Sequence, residues 1–385
     1  MDLKICTQMK KKLLVFHKAL GPYRIDLFNE LNNAFEAHIY LFLRNFRSQI
    51  FDMSKIEEQL NFKPKFLTAG FDFQYKGRMI RFGYLRKIIQ FKPDLILVWE
   101  YNIISFISAL FTKTIFPKTK VYSLCDDSVD IARNSSVARR IGRNLCLKLF
   151  DGIVLNNEFT EEWFNKKFPK VRTTVFPILQ KEERLISIIE DAYQITQEYV
   201  DQYKLKEKNI LLFVGRLVEV KNLNFLIEVF SQYAPKNKNA TLILVGDGDH
   251  KSELINLAER LKIQDQVIFV GHFERKELYS WFRVADYFIL SSTWEPFGAV
   301  VNESLIAGIP VLCSKLAGAS CLINNKNGKT FDPYDKEELL AILNDVFSKK
   351  RNQADSSLIF NSLMPYTFNQ KIHELISFLK NNESE

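Results

Sequence analysis

Glu295 and Glu303 stand eight residues apart in the stretch SSTWEPFGAVVNESLIAGIPVLCS, 291–314. Pro296 and Gly298 break an apolar run, and AVVNESLIA reads as a helix from about Ala299. The backbone N–H groups of Phe297, Gly298, Ala299 and Val300 then open that helix, whose positive dipole end favours phosphate. Glu303, one turn in, is placed to accept two hydrogen bonds from the vicinal hydroxyls of a ribose. Glu295, before the helix at the strand edge, is placed for sugar hydroxyls. A carboxylate suits a diol because it is acceptor-only and bidentate. The plainer alternative makes Glu303 a solvated helix residue and Glu295 a capping acid. The apolar flanks Val300, Val301, Leu305 and Ile306 weigh against it.

A second cluster lies in LLFVGRLVEVKNLNFLIEVF, 211–230. A strand ends at Gly215, Arg216 follows at once, and Lys221 precedes a helix. A strand-to-helix turn presents N–H groups at the strand's carboxyl edge, where α/β ligands bind. Arg as a planar fork and Lys as a point charge suit a diphosphate there. In TLILVGDGDHK, Gly246 and Gly248 begin a dinucleotide fingerprint, but Lys251 holds the place of the third glycine, so a nicotinamide site is not expected. Asp247 and Asp249 read as turn and helix-capping acids, or as a metal-binding Asp-x-Asp pair. NGKT (327–330) lacks the P-loop's upstream glycine, since residue 323 is Ile, and no helix start follows.

These residues need strands to hold them. Apolar runs of four to seven residues alternate with helical patterns. One series is KLLVFH (12–17), AHIYLFL (37–43), LILVWE (95–100), KVYSLC (120–125) and GIVLNN (152–157). The second is NILLFVG (209–215), TLILVG (241–246), QVIFVG (266–271), YFILSS (287–292) and PVLCS (310–314). Strands buried on both faces and separated by helices indicate parallel βαβ units. The expected fold is α/β, with two Rossmann-like doubly wound domains facing a central cleft. The expected domains are 1–178, joined by a C-terminal helix at about 366–385 that packs back on it, and 179–365. A helix within EERLISIIEDAYQITQEYVDQYKL joins them, and Thr367 is a candidate N-cap of the last helix.

The chain has 385 residues, 47% hydrophobic and 25% charged, with Phe used 33 times. That size suits two cores. Five scattered cysteines and five scattered histidines form neither a disulfide framework nor a metal motif. LLVF near the start is too short for a signal peptide. IISFISALFTKTIF (103–116) is too short to span a bilayer and is interrupted by Lys113, so a buried helix is expected. Residues 1–180 hold 29 Lys and Arg against 17 Asp and Glu, a net of +12, while the remainder carries −4. The first half should therefore meet something anionic, such as a membrane surface, a nucleic acid or a charged substrate.

Together these motifs make the sequence resemble the family 4 retaining glycosyltransferases of the GT-B fold. The hallmark of that family is two glutamates in a context like EPFGxxxxE, here Glu295 and Glu303 with Pro296, Phe297 and Gly298. Gly215, Arg216, Leu217 and Lys221 match its GRL…K pair, and VGDG (245–248), ELYSWFRVADYFILSS and NGKTFDPYD also match. The likeness is dense over 209–335 and thinner before it, where LGPYRIDLFNEL (20–31) looks like the first acceptor-side loop.

The resemblance implies a nucleotide-diphosphate sugar as donor substrate, with no cofactor and no metal, which makes a metal-binding role for Asp247 and Asp249 unnecessary. Arg216 and Lys221 would hold the diphosphate as the nucleotide leaves, and Gly215 and Gly246 would line that site. Glu303 would bind the ribose and Glu295 the donor sugar. The N–H groups of Phe297 and Gly298 would lie beside the sugar, those of Ala299 and Val300 at the phosphates. Gly21 would close over the diphosphate from the other domain, and the base would lie near His272 and Phe273. Many members carry a histidine after the fourth N-domain strand, whereas this chain has Cys125, Asp126 and Asp127. Asp126 would orient a sugar hydroxyl or the acceptor in its place, or cap the next helix, and Glu100 is a second candidate. Same-face attack, with the leaving phosphate taking the acceptor's proton, is the implied route to retention.

The expected acceptor is a glycan or lipid-linked glycan in cell-surface polysaccharide or lipopolysaccharide biosynthesis. The expected location is cytoplasmic, peripheral on the inner face of an anionic membrane. Two other readings compete. A GT-B-like epimerase or a phosphorylase would share the fold, a phosphorylase adding a pyridoxal-linked lysine. A basic nucleic-acid-binding protein would explain the charged half but not the two glutamates, so no nucleic acid is expected.

Overall fold

The computed structural model describes residues 9–45, 52–72, 79–348 and 361–380. Cys6 and parts of the basic stretches 43–51 and 76–87 lie outside the described residues. The chain divides into two compact units, Met1–Gln180 with Phe368–Glu385, and Lys181–Thr367.

The first unit runs β1 (Lys12–His17), α1 (Ile25–Ala34), β2 (Glu36–Leu41), α2 (Met53–Glu57), β3 (Lys65–Phe66), β4 (Thr68–Asp72), β5 (Met79–Phe82), α3 (Tyr84–Phe91), β6 (Leu95–Trp99) and α4 (Ile103–Ile115). It continues through β7 (Lys120–Cys125), α5 (Val129–Arg133), α6 (Val137–Leu147), β8 (Gly152–Leu155), α7 (Glu158–Lys167) and β9 (Thr173–Val175). Seven strands form one sheet in the order β3-β2-β1-β6-β7-β8-β9, all pairs parallel. β4 and β5 pair as a separate antiparallel ladder. Strands such as LILV are apolar at every position because helices cover both faces of a parallel sheet.

The second unit begins with α8 (Glu182–Asp191) and α9 (Tyr193–Gln202), then β10 (Asn209–Val214), α10 (Leu223–Tyr233), β11 (Ala240–Val245), α11 (Lys251–Arg260) and β12 (Val267–Gly271). It ends with α12 (Arg275–Val284), β13 (Tyr287–Leu290), α13 (Ala299–Ile306), β14 (Val311–Ser314), β15 (Gly328–Phe331) and α14 (Lys336–Ser348). Its sheet order is β12-β11-β10-β13-β14-β15, again all parallel. The last helix, α15 (Phe368–Lys380), belongs to the first unit, where Phe368 packs edge-on against Phe176 and Phe378 against Tyr122. Each sheet is the doubly wound arrangement of a Rossmann-like domain.

Three details differ from the sequence reading. The joining helix is two helices that meet at Ala192, a fully buried residue at φ −82° and ψ 0°. Its carbonyl accepts the Thr196 and Ser280 hydroxyls, which seats the break on α12. Short strands β3, β9 and β15 escaped the pattern. β3 and β9 have only two and three residues, and β15 is GKTF, which lacks the apolar run that marks the other strands. The third correction concerns α4. It buries Ile104, Ser105, Ser108, Ala109 and Thr112 but leaves Ile103, Leu110 and Ile115 exposed, so only one of its faces is in the core. Among the described residues, no helix is long and apolar enough to cross a membrane.

Candidate functional site

In the second unit the strand order reverses between β10 and β13, the switch point at whose carboxyl edge α/β proteins bind ligands. Both strands are parallel and neighbours, so the loops that follow them meet. Ser291 Oγ donates to the Lys221 carbonyl at 2.8 Å and the Thr293 N–H to the Val220 carbonyl at 3.0 Å. Across this seam the Lys221 ammonium and the Glu295 carboxylate form an ion pair, both side chains largely shielded from solvent. Arg216, on the same loop, is exposed.

The turn at 295–298 is held from behind. Gly318 N–H donates to the Glu295 carbonyl at 3.1 Å and Ala319 N–H to the Phe297 carbonyl at 2.7 Å. The Phe297 side chain is buried beneath. Gly298 caps α13 at φ +96°, where a Cβ would strain the backbone and meet Leu290 Cδ2 at 2.8 Å. No side chain caps this helix, so its start at Ala299 and Val300 presents backbone rather than a competing oxygen. On the neighbouring strand a Cβ at Gly246 would lie 1.9 Å from the Gly215 carbonyl oxygen. The N–H of Gly215 donates to Val245 and that of Gly246 to Gly271. Those two glycines therefore contribute close packing, with their donors already used.

Glu303 lies on α13 and receives a hydrogen bond from the Tyr279 hydroxyl of α12. Burial, and then the Glu303 charge, push the Tyr279 phenol well above its ordinary value, so it stays a donor. Tyr279 lies in ELYSWFRVADYFILSS, a stretch that matched the family, but the residue was not among the expected site residues. His272 is exposed beside Glu274, and Phe273 packs its ring on Tyr199 and Trp281 at 5.7 and 5.8 Å. Asp247 accepts from the Gly248 N–H at 2.8 Å. It thus closes its own turn rather than capping α11, whose N-cap is His250.

The first unit has its own switch point, between β1 and β6. β1 ends at His17, and beyond it comes Gly21, whose carbonyl accepts from Arg24 N–H at 3.0 Å. Arg24 is buried and ion-paired with Asp126 after β7. Of the two adjacent aspartates, Asp126 keeps 29% of its side chain exposed and Asp127 only 3%. Asp127 is the structural one, accepting from the Tyr101 hydroxyl and from Arg139 at 2.6 Å. Asp126 faces outward and does not cap the next helix, which Ser128 caps.

Glu100 follows β6 at φ +50°, a backbone well that non-glycine residues seldom occupy. Arg139 reaches it at 3.0 Å, but burial raises the Glu100 carboxyl to about 7, with Asp127 and Asp126 adding to the rise. His17 goes the other way. Burial lowers it to about 4, and its Nδ1 lies 2.9 Å from the Ala19 carbonyl, so the imidazole is neutral.

The family model described as Glycosyl transferases group 1 matches residues 196–357. That stretch holds Arg216, Lys221, Tyr279, Glu295 and Glu303 in one domain. Over 165 residues the chain is 32% identical to mannosylfructose-phosphate synthase of Agrobacterium fabrum, covering 40% of this chain and 36% of that protein. Over 245 residues the chain is 26% identical to alpha-monoglucosyldiacylglycerol synthase of Streptococcus pneumoniae, covering 60% and 53%. The matches thus span about a third to a half of these relatives' own lengths. The structure of Anabaena HepE in complex with UDP superposes with a TM-score of 0.68 at 20% identity, covering 96% of this chain and 95% of that one. The family match lies within residues 196–357, and the structural likeness over nearly the whole chain shows the GT-B fold.

Two outcomes follow from this geometry. Glu100 takes up a proton on folding between its ordinary 4.5 and about 7, so its contribution to stability falls as pH rises through that window. His17 acts oppositely over a lower range, so wild type should be compared with Glu100→Gln. Wild-type Tm should drop relative to the variant across that window, and parallel Tm curves would refute the assignment. Tyr279→Phe removes the donor to Glu303 and should cost about 1–2 kcal/mol in urea unfolding, with m unchanged.

Proposed function

We propose that the protein is a retaining, metal-independent glycosyltransferase of family 4. It would move a sugar from a nucleotide-diphosphate donor to a glycan or lipid-linked glycan. The observation that carries this reading is the Lys221–Glu295 pair across the β10–β13 switch point, beside the uncapped start of α13. An ammonium has three donors, so Lys221 can keep Glu295 and still meet a phosphate oxygen. Glu295 would then hold a hydroxyl of the donor sugar, and Glu303, oriented by Tyr279, the ribose.

Arg216, Lys221 and the helix dipole are cationic groups on one carboxyl edge, where the charge of a departing nucleoside diphosphate grows. Preorganised charge of this kind is usually the largest catalytic contribution, and it is why no divalent metal is invoked. In the reaction the anomeric carbon–phosphate oxygen bond breaks, with its electron pair leaving on the diphosphate. The acceptor oxygen bonds to that carbon on the same face, and its proton passes to the leaving phosphate. Asp126, outward-facing and paired with Arg24, would orient an acceptor or donor hydroxyl. His272 and Phe273 remain the residues proposed for the base, and Gly21 for the diphosphate.

The test is a thermal-shift panel of nucleoside diphosphates and nucleotide sugars, beginning with UDP. A bound donor at ~100 times its Kd should add about 2.7 kcal/mol. Glu303→Ala should weaken that shift. Lys221→Ala should depress donor turnover far more than Tm. A panel without any shift, or both variants with full donor turnover, would sink the assignment.

A further inference from the structure

Three helices of the first unit, α3, α4 and α6, lie side by side over one face of the seven-stranded sheet. Their inner sides, including Tyr84, Ile88, Ile104, Ala109, Cys146 and Leu147, join one apolar core. Their outer sides are unlike the rest of the described surface. Val137 (62% exposed), Ile141 (55%) and Leu145 (44%) repeat every four residues along α6, a single stripe on the helix. On α4, Ile103 (59%) and Leu110 (47%) stand two turns apart, and Ile89 is exposed on α3. Half of the large exposed hydrophobics among the described residues belong to these helices. Isolated exposed apolar residues need no explanation, whereas a shared face marks an interaction surface.

Charge decides which kind. The sequences YLRKIIQF, IISFISALFTKTI and VARRIGRNLCL contain six Lys or Arg and no Asp or Glu. Arg86 and Arg140 are exposed on the outer sides, as is Lys148 just after α6. Arg139 and Lys113 are committed elsewhere, to Glu100 with Asp127 and to Asp151. A nucleic acid would be met by cations and polar groups, and gains nothing from a row of Ile, Leu and Val. A protein interface core is depleted in charge and enriched in aromatic residues. Branched aliphatics flanked by cations, with acids excluded, are the composition that enters the headgroup boundary of an anionic bilayer.

We propose that the outer face of α3, α4 and α6 docks on an anionic lipid surface, the aliphatic stripe entering the interface while Arg86, Arg140 and Lys148 meet lipid phosphates. The proposal stands on this face alone and does not require glycosyl transfer. If the function proposed above also holds, the acceptor is one presented at a membrane.

The experiment is flotation of the full chain with vesicles of phosphatidylcholine alone and of phosphatidylcholine with a third phosphatidylglycerol, at low and high salt. Wild type should float with the anionic vesicles at low salt and not with the neutral ones. Arg86→Gln with Arg140→Gln should weaken binding roughly thirtyfold, about fivefold per cation. Ile141→Ser with Leu145→Ser should weaken it by more than about tenfold. Both pairs are on the surface, so Tm and any nucleotide-induced shift should stay at the wild-type value. That readout separates a failed docking surface from a failed donor site. No flotation at low salt overturns the proposal, as does flotation that neither pair of substitutions changes. A concentration-dependent dimer, dissolved by Ile141→Ser with Leu145→Ser and indifferent to lipid, would assign the face to a second copy instead.

Discussion

The ion pair between Lys221 and Glu295 joins residues 74 positions apart in the chain. It exists because β10 and β13 are parallel neighbours at the point where the sheet order reverses. Their following loops leave from the same edge with nowhere else to go. A partly buried pair carries a desolvation cost that only good geometry offsets. That geometry comes from backbone stitches on both sides. Ser291 and Thr293 tie the β13 loop to residues 220 and 221, and Gly318 and Ala319 brace the 295–298 turn. The proline, the left-handed glycine and the buried phenylalanine of that turn aim the start of α13 beside the pair. Removing either charge would leave the other uncompensated in a half-shielded seam.

The first unit repeats the topology with different chemistry. Its switch point gathers His17, Arg24, Glu100 and the two aspartates after β7. Low solvent access divides their protonation states. A histidine is held neutral, a carboxyl is raised to about 7, and Arg24 and Arg139 each take an aspartate. The division gives adjacent aspartates separate work: Asp127 ties Tyr101 and Arg139 together, while Asp126 turns outward. A strained backbone at Glu100 in this setting is the kind of feature that surrounding structure must hold in place.

Much of this was legible in the residues themselves. Continuous apolar runs bounded by turn residues mark strands buried on both faces, and ten of them located both sheets to within a residue or two. The spacing of Glu295, Pro296, Gly298 and Glu303 forces a strand–turn–helix, because proline and a left-handed glycine leave the chain few alternatives. β3 and β9, of two and three residues, are too short to stand out, and β15, GKTF, is too polar to read as a buried strand. The break at Ala192 was equally silent, since alanine propagates a helix well and only the packing of α12 against its carbonyl stops it there.

What the sequence by itself determined is the order of elements and the residue types at each strand end, because hydrophobic period and turn chemistry act locally. Which of those residues touch was decided only by tertiary structure. The pairing of Lys221 with Glu295, of Tyr279 with Glu303 and of Arg24 with Asp126 depends on strand order and helix packing, which bring distant segments together. The same holds for α4. Its composition suggested a buried helix, yet which side of it meets the core and which meets solvent follows from its seat between α3 and α6. A helix's own residues define its stripes, but only the neighbours it packs against decide which stripe is covered.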